Sequence, residues 1–427
     1  MNLPDRHSAL YPGGTNHPSS ASISTRSIPL LRCTLTLAVW LSLHGSAMAA
    51  GMPALINEAV DTDPAILEAR ANEEVAEARM FASRAQHYPT FGVQAGSYLA
   101  NPEEMSQPFR GLAGRINLYS AGAINAAIER DELKQQSLKH KTTETREVIA
   151  MSVAQLFLEA LRAKEMMEAE QRNLERHEKI VGDLEVVVTN DVGRRFELVQ
   201  AQSRALQVRM RIVQHEKNMK LALSKLTRYT RQRPDLSNPI PSDWRQSLPA
   251  SANTRPHPSI ETQRIEADAV RAEQRTLQLQ RWPRLDLEAG AGNQRYARMV
   301  VNWAFYDRSA DFTVQSAAKQ IAAAEQRTEL LERDIAQRSA TAEADMAQSL
   351  LQIKAAEHQI DASAKVVELY ELQFKVGRRS LIELVNAYAE LAAVETSLVA
   401  AHNDYRQAVV SYLYARATLA EWASTQR

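Results

Sequence analysis

Residues 283–306 read PRLDLEAGAGNQRYARMVVNWAFY, and apolar and polar residues alternate along this stretch. Leu285 and Leu287 alternate with Asp286 and Glu288, and a second run has apolar residues at 299, 301, 303 and 305. A repeat of two residues is the signature of a β-strand that has one apolar and one polar face. The stretch therefore predicts two strands joined by a turn.

The same pattern occurs a second time, because the chain contains an internal duplication. Tyr88-Pro89 corresponds to Trp282-Pro283, and VGRR at 192–195 corresponds to VGRR at 376–379, in the same order. The first copy also repeats the alternation, as in Phe91, Val93 and Ala95 against Gly92 and Gln94. We expect each copy to fold as a helix, a strand pair and a long helical hairpin.

The predicted organisation consists of a leader, two repeats and a linker. The leader spans residues 1–49, the first repeat 50–230, the Pro-, Ser- and Asn-rich linker 231–255 and the second repeat 256–427. The strand pairs are expected at 89–119 and 283–306, and the helical hairpins at 123–230 and 310–422.

The leader has the features of a cleavable signal peptide. Arg26 and Arg32 precede an apolar run that ends before the small residues of Ala47-Met48-Ala49. The run is shorter than the ~20 residues that a spanning helix needs. Its Cys33 is the single cysteine of the chain, so we expect neither disulfides nor a thiol-based metal site after cleavage. No later stretch approaches ~18 apolar residues, so membrane insertion would have to use strands.

Four strands per chain are too few to close a membrane barrel, since the smallest such barrels have about eight. The predicted fold is therefore mainly α with a small β part, and closure of a barrel would need strands from other copies of the chain. Tyr88, Tyr119, Trp282 and Tyr306 lie at the predicted strand bases, where an aromatic girdle is expected. The alternation also permits a soluble sheet of two hairpins packed on helices.

Long stretches with apolar residues at three-four spacing predict coiled-coil seams. In the last helix the seam is Leu384, Ala387, Leu391, Val394, Leu398, Ala401, Tyr405, Ala408, Tyr412, Ala415, Leu419 and Trp422. In the helix before it the predicted seam is Met346, Leu350, Ile353, Ile360, Ala364, Val367 and Phe374. In the first copy, Glu170 and His177 are the polar exceptions. A helix from 123 to 188 would be about 100 Å long, far more than a globular domain requires.

Charge and motifs argue against an enzyme or a nucleic-acid binder. Lys and Arg number 51, as do Asp and Glu, so no overall field attracts nucleic acid. His177-Glu178 and His215-Glu216 begin like a zinc-protease motif, but neither is followed by a second His at the required spacing. We predict no catalytic residues, no cofactor and no metal site.

The turns between the long helices carry a resemblance to a known family. Residues 374–387 read FKVGRRSLIELVNA, and residues 192–201 read VGRRFELVQA. This wording, with the duplicated strand pairs, resembles the TolC-type outer-membrane efflux protein family, whose hairpins turn at Val-Gly-x-Arg-[Ser/Thr] followed by an acid, a Leu and an Ala. The resemblance covers the whole chain after the leader. The wording at 376–391 further resembles the branch that serves type I secretion.

The resemblance implies that three chains contribute four strands each to a 12-stranded outer-membrane β-barrel. It also implies a periplasmic gate at these turns. Glu383 matches an acidic position that faces the lumen and would form a ring of three favouring cations. The second family acid is replaced by Asn386, and by Gln200 in the first copy, which weakens that selectivity. The gate residues implied are Glu383, Asn386, Arg379, Glu197, Gln200 and Arg195. Arg379 and Arg195 match the arginine that ties neighbouring helix pairs shut.

The turn chemistry gives further expectations. Gly377 and Gly193 suit a turn with positive φ, and Ser380 suits the N-cap of the next helix. A periplasmic adaptor is expected to dock on an apolar turn surface made of Val376, Gly377, Leu381, Ile382, Val192 and Gly193.

The predicted function is a passive, homotrimeric exit duct in the outer membrane of a Gram-negative cell, with an extension into the periplasm. Its expected partners are outer-membrane lipid, a periplasmic adaptor and an inner-membrane transporter of the ABC type, which would serve type I protein secretion. Multidrug or metal efflux is an alternative cargo. A structural coiled-coil tether between envelope layers is a more remote alternative, since it leaves the strand pairs unexplained.

Overall fold

The structure is a computed structural model that describes residues 50–96, 109–237, 240–241, 244–246, 248, 256–293 and 295–426. The predicted signal peptide lies outside these residues. In chain order the elements are α1 (Met52–Thr62), α2 (Pro64–Ala85), β1 (Thr90–Gly96), β2 (Phe109–Tyr119), α3 (Ala123–Asn190), α4 (Arg195–Leu226), α5 (Pro258–Leu279), β3 (Arg284–Gly292), β4 (Tyr296–Asn302), α6 (Arg308–Lys375), α7 (Leu381–Ala415) and α8 (Leu419–Thr425).

The prediction of a mainly helical fold with a small β part is confirmed. A helix, two strands and two long helices follow one another twice along the chain. The helices α3 and α6 each contain 68 residues, which corresponds to about 100 Å. Each begins after a short turn: Asp307 caps α6 by accepting hydrogen bonds from the backbone N–H groups of Ser309 and Ala310. None of the helices in the described ranges is both long and apolar enough to cross a membrane.

The four strands form one antiparallel sheet in the order β1-β2-β3-β4. Its central pair, β2 and β3, joins the two copies, and β1 and β4 form the edges. The predicted extension of the last strand to Phe305 is wrong, because β4 ends at Asn302. Asn302 pairs with Arg284, the first residue of β3, and the preceding Pro283 has no N–H with which to continue the ladder.

The sheet has one apolar and one polar face. Phe91, Val93 and Met299 are exposed to 81%, 80% and 70% on the apolar face. Cross-strand pairing places the polar residues together on the opposite face, where Arg115 is opposite Glu288 and Asn117 is opposite Asp286. This apolar face is uncovered in the single chain. We therefore expect it to contact another hydrophobic environment.

The long helices form a layer in the order α4, α3, α7, α6 near their hairpin turns. The predicted seam of α7 is buried or half-buried at all its positions. In α6 the predicted seam residues Leu350 and Ala364 are exposed, and Ser349 and Ser363 are buried instead. Ser349 and Ser363 lie on the three-four spacing that begins at Met346. Their position on the buried side of the helix, and not the apolarity of their side chains, therefore determines their burial.

The main core lies where α1, α3, α7 and α8 meet. The predicted last helix does not continue to Trp422: α7 ends at Ala415, Ala417 has φ +51°, and α8 begins at Leu419. Folding back in this way buries Trp422 completely. Part of the predicted linker also packs on this core, since Trp244 is buried in it and donates a hydrogen bond to the hydroxyl of Tyr405.

Candidate functional site

The turn of the second hairpin is built as its sequence predicts. Gly377 has φ +73°, a conformation that favours glycine. Ser380 is the N-cap of α7 and forms a capping box with Glu383. The Ser380 backbone N–H donates to Glu383 Oε2 at 3.1 Å, and the Ser380 hydroxyl accepts from the Glu383 N–H at 3.4 Å. The carboxylate of Glu383 is therefore held at the first turn of α7.

Arg379 joins the two helices of its own hairpin. Its guanidinium pairs with Glu383, and its Nε donates to Gln373 Oε1 at 2.9 Å. It also lies 4.3 Å from the ring centroid of Tyr370, a cation–π contact. The Ser380 hydrogen bonds, reinforced by Arg379, hold the pKa of Glu383 below its usual range. Glu383 is thus ionised, and a positive charge of the same chain accompanies it.

In the duct that the sequence predicts, Arg379→Gln should uncover the charge of Glu383 and raise cation preference at the mouth, because the carboxylate would lose its cationic partner. Ion selectivity in planar bilayers would measure this. Lys375→Gln, which removes a neighbouring positive charge but not the Glu383 partner, is the control. Equal shifts in the two variants would contradict the pairing argument.

The turn of the first hairpin has a different shape. Val192–Arg194 form a single 3-10 turn that leads directly into α4, and Gly193 donates its N–H to Asp191 Oδ1 at 3.0 Å. The expectation of positive φ at Gly193 is wrong; in the described chain the glycines with positive φ are Gly122 and Gly377. The first copy lacks two residues here, so the chain has no room for the left-handed turn.

This shorter turn also changes which arginine pairs with the acid. Arg194 Nη2 lies 2.6 Å from Glu197 Oε2, and its guanidinium lies 5.5 Å from the ring centroid of Phe374 in the other hairpin. Arg195, the sequence match to Arg379, is exposed. Sequence alignment therefore missed Arg194, although the two-residue deletion before Glu197 was a signal that the spacing had shifted.

Most of the predicted adaptor-contact residues are accessible in the single chain. Val192, Val376 and Ile382 are exposed, and both turn glycines lie at the surface. Leu381 is an exception and a correction, because it is only 2% exposed and packs with Leu384 and Phe374. As the first residue of α7 it faces the seam of the hairpins, so it supports the turn from inside.

The remaining predicted gate residues lie one helical turn further from the mouth. Asn386 is exposed on α7, and Gln200 is half-buried on α4. Asn386 lines a groove of about 340 Å³ between α3, α4 and α7. In the part of the chain that the structure describes, neither Asn386 nor Gln200 hydrogen-bonds to the other gate residues, and their roles remain predictions.

A set of polar contacts behind the turns connects the two hairpins. Arg176 of α3 pairs with Glu395 of α7, with Nη1 3.3 Å from Oε2. Lys179 Nζ lies 2.9 Å from Glu371 Oε2, and the hydroxyl of Tyr388 donates to Glu371 Oε1 at 2.6 Å. Sequence reasoning singled out none of these residues, because each one is an ordinary charged or aromatic residue within a helix.

His177 lies at the centre of this junction. It is buried and stacks edge-on against Tyr388, with ring centroids 5.6 Å apart. Burial, together with the positive charges of Arg211, Arg204 and Arg176, lowers the pKa of His177 to about 4. It is therefore neutral at ordinary pH, consistent with a packing role at a polar position of the seam.

The polar face of the sheet carries a ladder of charges. Glu288 accepts from Arg115 and Arg298, each with Nη2 2.9 Å from a carboxylate oxygen. Asp286 accepts from Asn117 Nδ2 and from Arg284 Nε, both at 2.9 Å. Within the described residues no group of three or more His, Cys, Asp or Glu is arranged to hold a metal ion.

Comparison with known proteins agrees with this architecture. Residues 55–230 match the model of the outer membrane efflux protein family. No curated protein sequence is significantly similar to the chain. The solved structures of CusC and of the outer membrane protein VceC of Vibrio cholerae are each 16% identical to the chain, with TM-scores of 0.76 and 0.74. Each covers 86% of this chain, and the chain covers 92% and 96% of theirs.

A third similar structure is that of the MtrE outer membrane channel of Neisseria gonorrhoeae, in its open state. It is 16% identical to the chain with a TM-score of 0.70, and the match covers 86% of this chain and 89% of MtrE. The resemblance seen in the turn motifs is thus confirmed. Residues 55–230 thus match the outer membrane efflux protein family, and the described residues share the fold of CusC and VceC.

Proposed function

We propose that three copies of this chain form an outer-membrane export duct that continues into the periplasm as a helical tunnel. The observation that carries the proposal is an open four-stranded sheet with an exposed apolar face and two edge strands, mounted on helices of about 100 Å. Unpaired edges with an apolar face are unstable alone in a membrane, because every backbone group there needs a partner. Pairing β4 of one chain with β1 of the next satisfies them.

The helical layer supports the same assembly. Its outer members, α4 and α6, each present exposed apolar residues away from their seams. On α4 these include Phe196, Val199, Leu206, Met210 and Val213, and on α6 they include Leu351, Leu369 and Leu372. A second copy of the chain would cover these stripes at the same time as the sheet edges.

We propose a passive role for the duct, with an adaptor docked at Val192, Val376 and Ile382 and with energy supplied by an inner-membrane transporter. The mouth would be closed where Arg194 of the first hairpin contacts Phe374 of the second, while Arg379 with Glu383 and Arg194 with Glu197 are pairs within single hairpins. The sequence of residues 376–391 favours type I protein secretion through an ABC transporter. Small-molecule or metal efflux is the alternative. Deletion of the gene should cause drug or metal sensitivity under this alternative, and loss of a secreted protein under the first route.

Disulfide cross-linking tests the trimer directly, because the chain has a single cysteine, in the predicted leader. Thr90 on β1 and Arg298, Val300 and Asn302 on β4 belong to the polar face by their pairing. We expect Thr90→Cys combined with a cysteine at one of these β4 positions to give covalent trimers on denaturing gels. Thr90→Cys alone should give none.

Two further measurements accompany the cross-linking. The assembly should migrate on gels in a heat-sensitive way, and the purified protein should conduct ions in planar bilayers. A monomeric product that needs no detergent and does not conduct would contradict the duct and would favour the coiled-coil tether.

A further inference from the structure

The carboxylates on the polar face of the sheet are covered by arginines. The Glu288 side chain is 15% exposed, whereas those of Arg115 and Arg298 on either side of it are 58% and 66% exposed. The Asp286 side chain is similarly covered, at 3%, next to the half-exposed Arg284. A solute that approaches this face therefore meets guanidinium groups first.

The charges across the sheet do not cancel. Arg284 balances Asp286, but Arg115 and Arg298 share the single carboxylate of Glu288, which leaves one net positive charge per chain. Arg110, the other charged residue of the described strands, is opposite Ala95 and so belongs to the apolar face, near its end. The excess charge is thus located at the level of Glu288.

This level spans the sheet from β2 to β4. Arg115 is opposite Glu288, and Glu288 is opposite Arg298, so the three side chains form one row across three neighbouring strands. Three chains would repeat the row around a lumen, with two arginines for every glutamate. A ring of this composition favours anions and opposes cations in a narrow pore.

The other end of the duct does not impose an opposing field. Both acids predicted for the gate are accompanied by an arginine of their own chain, Glu383 by Arg379 and Glu197 by Arg194. The mouth is thus close to neutral at these positions, in contrast to the cation-favouring ring that the family resemblance implies. The arginine row then has the larger effect on ion preference.

We propose that the row Arg115–Glu288–Arg298 makes the duct selective for anionic cargo, that is, for solutes that bear carboxylate or phosphate groups. This inference rests on the proposed trimeric duct, since it needs the polar face to line a lumen. Guanidinium groups suit such cargo because they donate paired hydrogen bonds to carboxylate and phosphate oxygens while remaining charged. The partial sharing with Glu288 keeps the interaction weak enough for release.

The reversal potential of the full chain in planar bilayers under a KCl gradient tests the proposal. We expect chloride to be several-fold more permeant than potassium at about 0.1 M salt and the preference to fade near 1 M, where the Debye length falls from about 10 Å to about 3 Å. R115Q combined with R298Q should abolish or reverse the preference. E288Q should increase it, because both arginines would lose their counter-charge.

R110Q is the matched control, because it removes an arginine of the same strand from the other face, and it should leave the ratio unchanged. A conducting wild-type channel that prefers potassium, or a double variant with unchanged selectivity, would overturn the inference and leave the duct intact. Absence of conductance in the wild type would instead contradict the duct itself, and the inference with it. If E288Q fails to assemble, the double variant and R110Q still test whether the arginine row causes the anion preference.

Discussion

Replacing Val93 by arginine should prevent the protein from accumulating as a membrane-inserted assembly. Val93 lies on the apolar face at the middle of the edge strand β1, opposite Leu112, which in turn is opposite Ala291. An arginine on the lipid side near the bilayer midplane costs about 2–4 kcal/mol, and a trimer contains three of them. The variant should be depleted from outer-membrane fractions and should lack the heat-sensitive oligomer band.

Gln94→Arg is the control for this prediction, since Gln94 is the next residue of the same strand and belongs to the polar face by its pairing with Gly111. It should insert normally and conduct. Equal tolerance of arginine at 93 and 94 would show that the apolar face does not contact lipid. Equal failure of both would point to a strand that tolerates no arginine for reasons of folding.

Glu147 is expected to give the largest pH effect. It lies on α3, is 5% exposed, and accepts hydrogen bonds from the backbone N–H groups of Leu419 at 3.0 Å and Ala420 at 3.3 Å. These are the first N–H groups of α8, so a side chain from another helix caps it. Burial raises the pKa of Glu147 to about 7, although the hydrogen bonds from α8 oppose the shift.

The direction of the pH dependence follows from this. The pKa of Glu147 is about 7 in the folded chain against an ordinary value of 4.5, so between these values the folded state retains a proton that the unfolded state releases. The stability of the α8 attachment is therefore highest below about pH 4.5 and falls as the pH rises through 7. The full difference is on the order of 3 kcal/mol.

Hydrogen exchange of the α8 amides, corrected for intrinsic rates, would measure this pH-dependent stability of the α8 attachment. Glu147→Gln should keep an acceptor for the α8 N–H groups without burying a charge, so protection should become nearly independent of pH and exceed wild type at pH values above 7. Glu147→Leu should lose protection at every pH, because two buried donors lose their partner. Glu159→Gln, an exposed acid on the same helix, is the control. A wild-type profile retained in Glu147→Gln would show that another group titrates.

The sequence predicted the strands well because their signal is local. Alternation over a few residues specifies both a strand and its faces, and Leu285, Asp286, Leu287 and Glu288 were correctly divided between them. The turn of the second hairpin was predicted for the same reason, since a glycine with positive φ and a serine N-cap act within a few residues. These features need no knowledge of what packs against them.

The errors concern residues whose environment depends on distant parts of the chain. The burial of Leu381 follows from the packing of four helices, and the role of Arg194 follows from a turn shortened by two residues. The end of α7 at Ala415 depends on the core that receives Trp422. The cap on α8 comes from Glu147, more than 270 residues earlier, as the spacing of the Leu419 hydrogen bond shows. No local pattern contains such information.

The unequal turns of the two hairpins have a consequence for anything that binds the far end of the tunnel. A trimer of duplicated chains has six hairpin tips, and a perfect duplication would make them interchangeable. In the proposed trimer, the left-handed turn at Gly377 and the 3-10 turn at 192–194 would instead alternate around the rim. A ring of six identical adaptors would therefore divide into two groups of three that bind non-equivalent sites with different affinities.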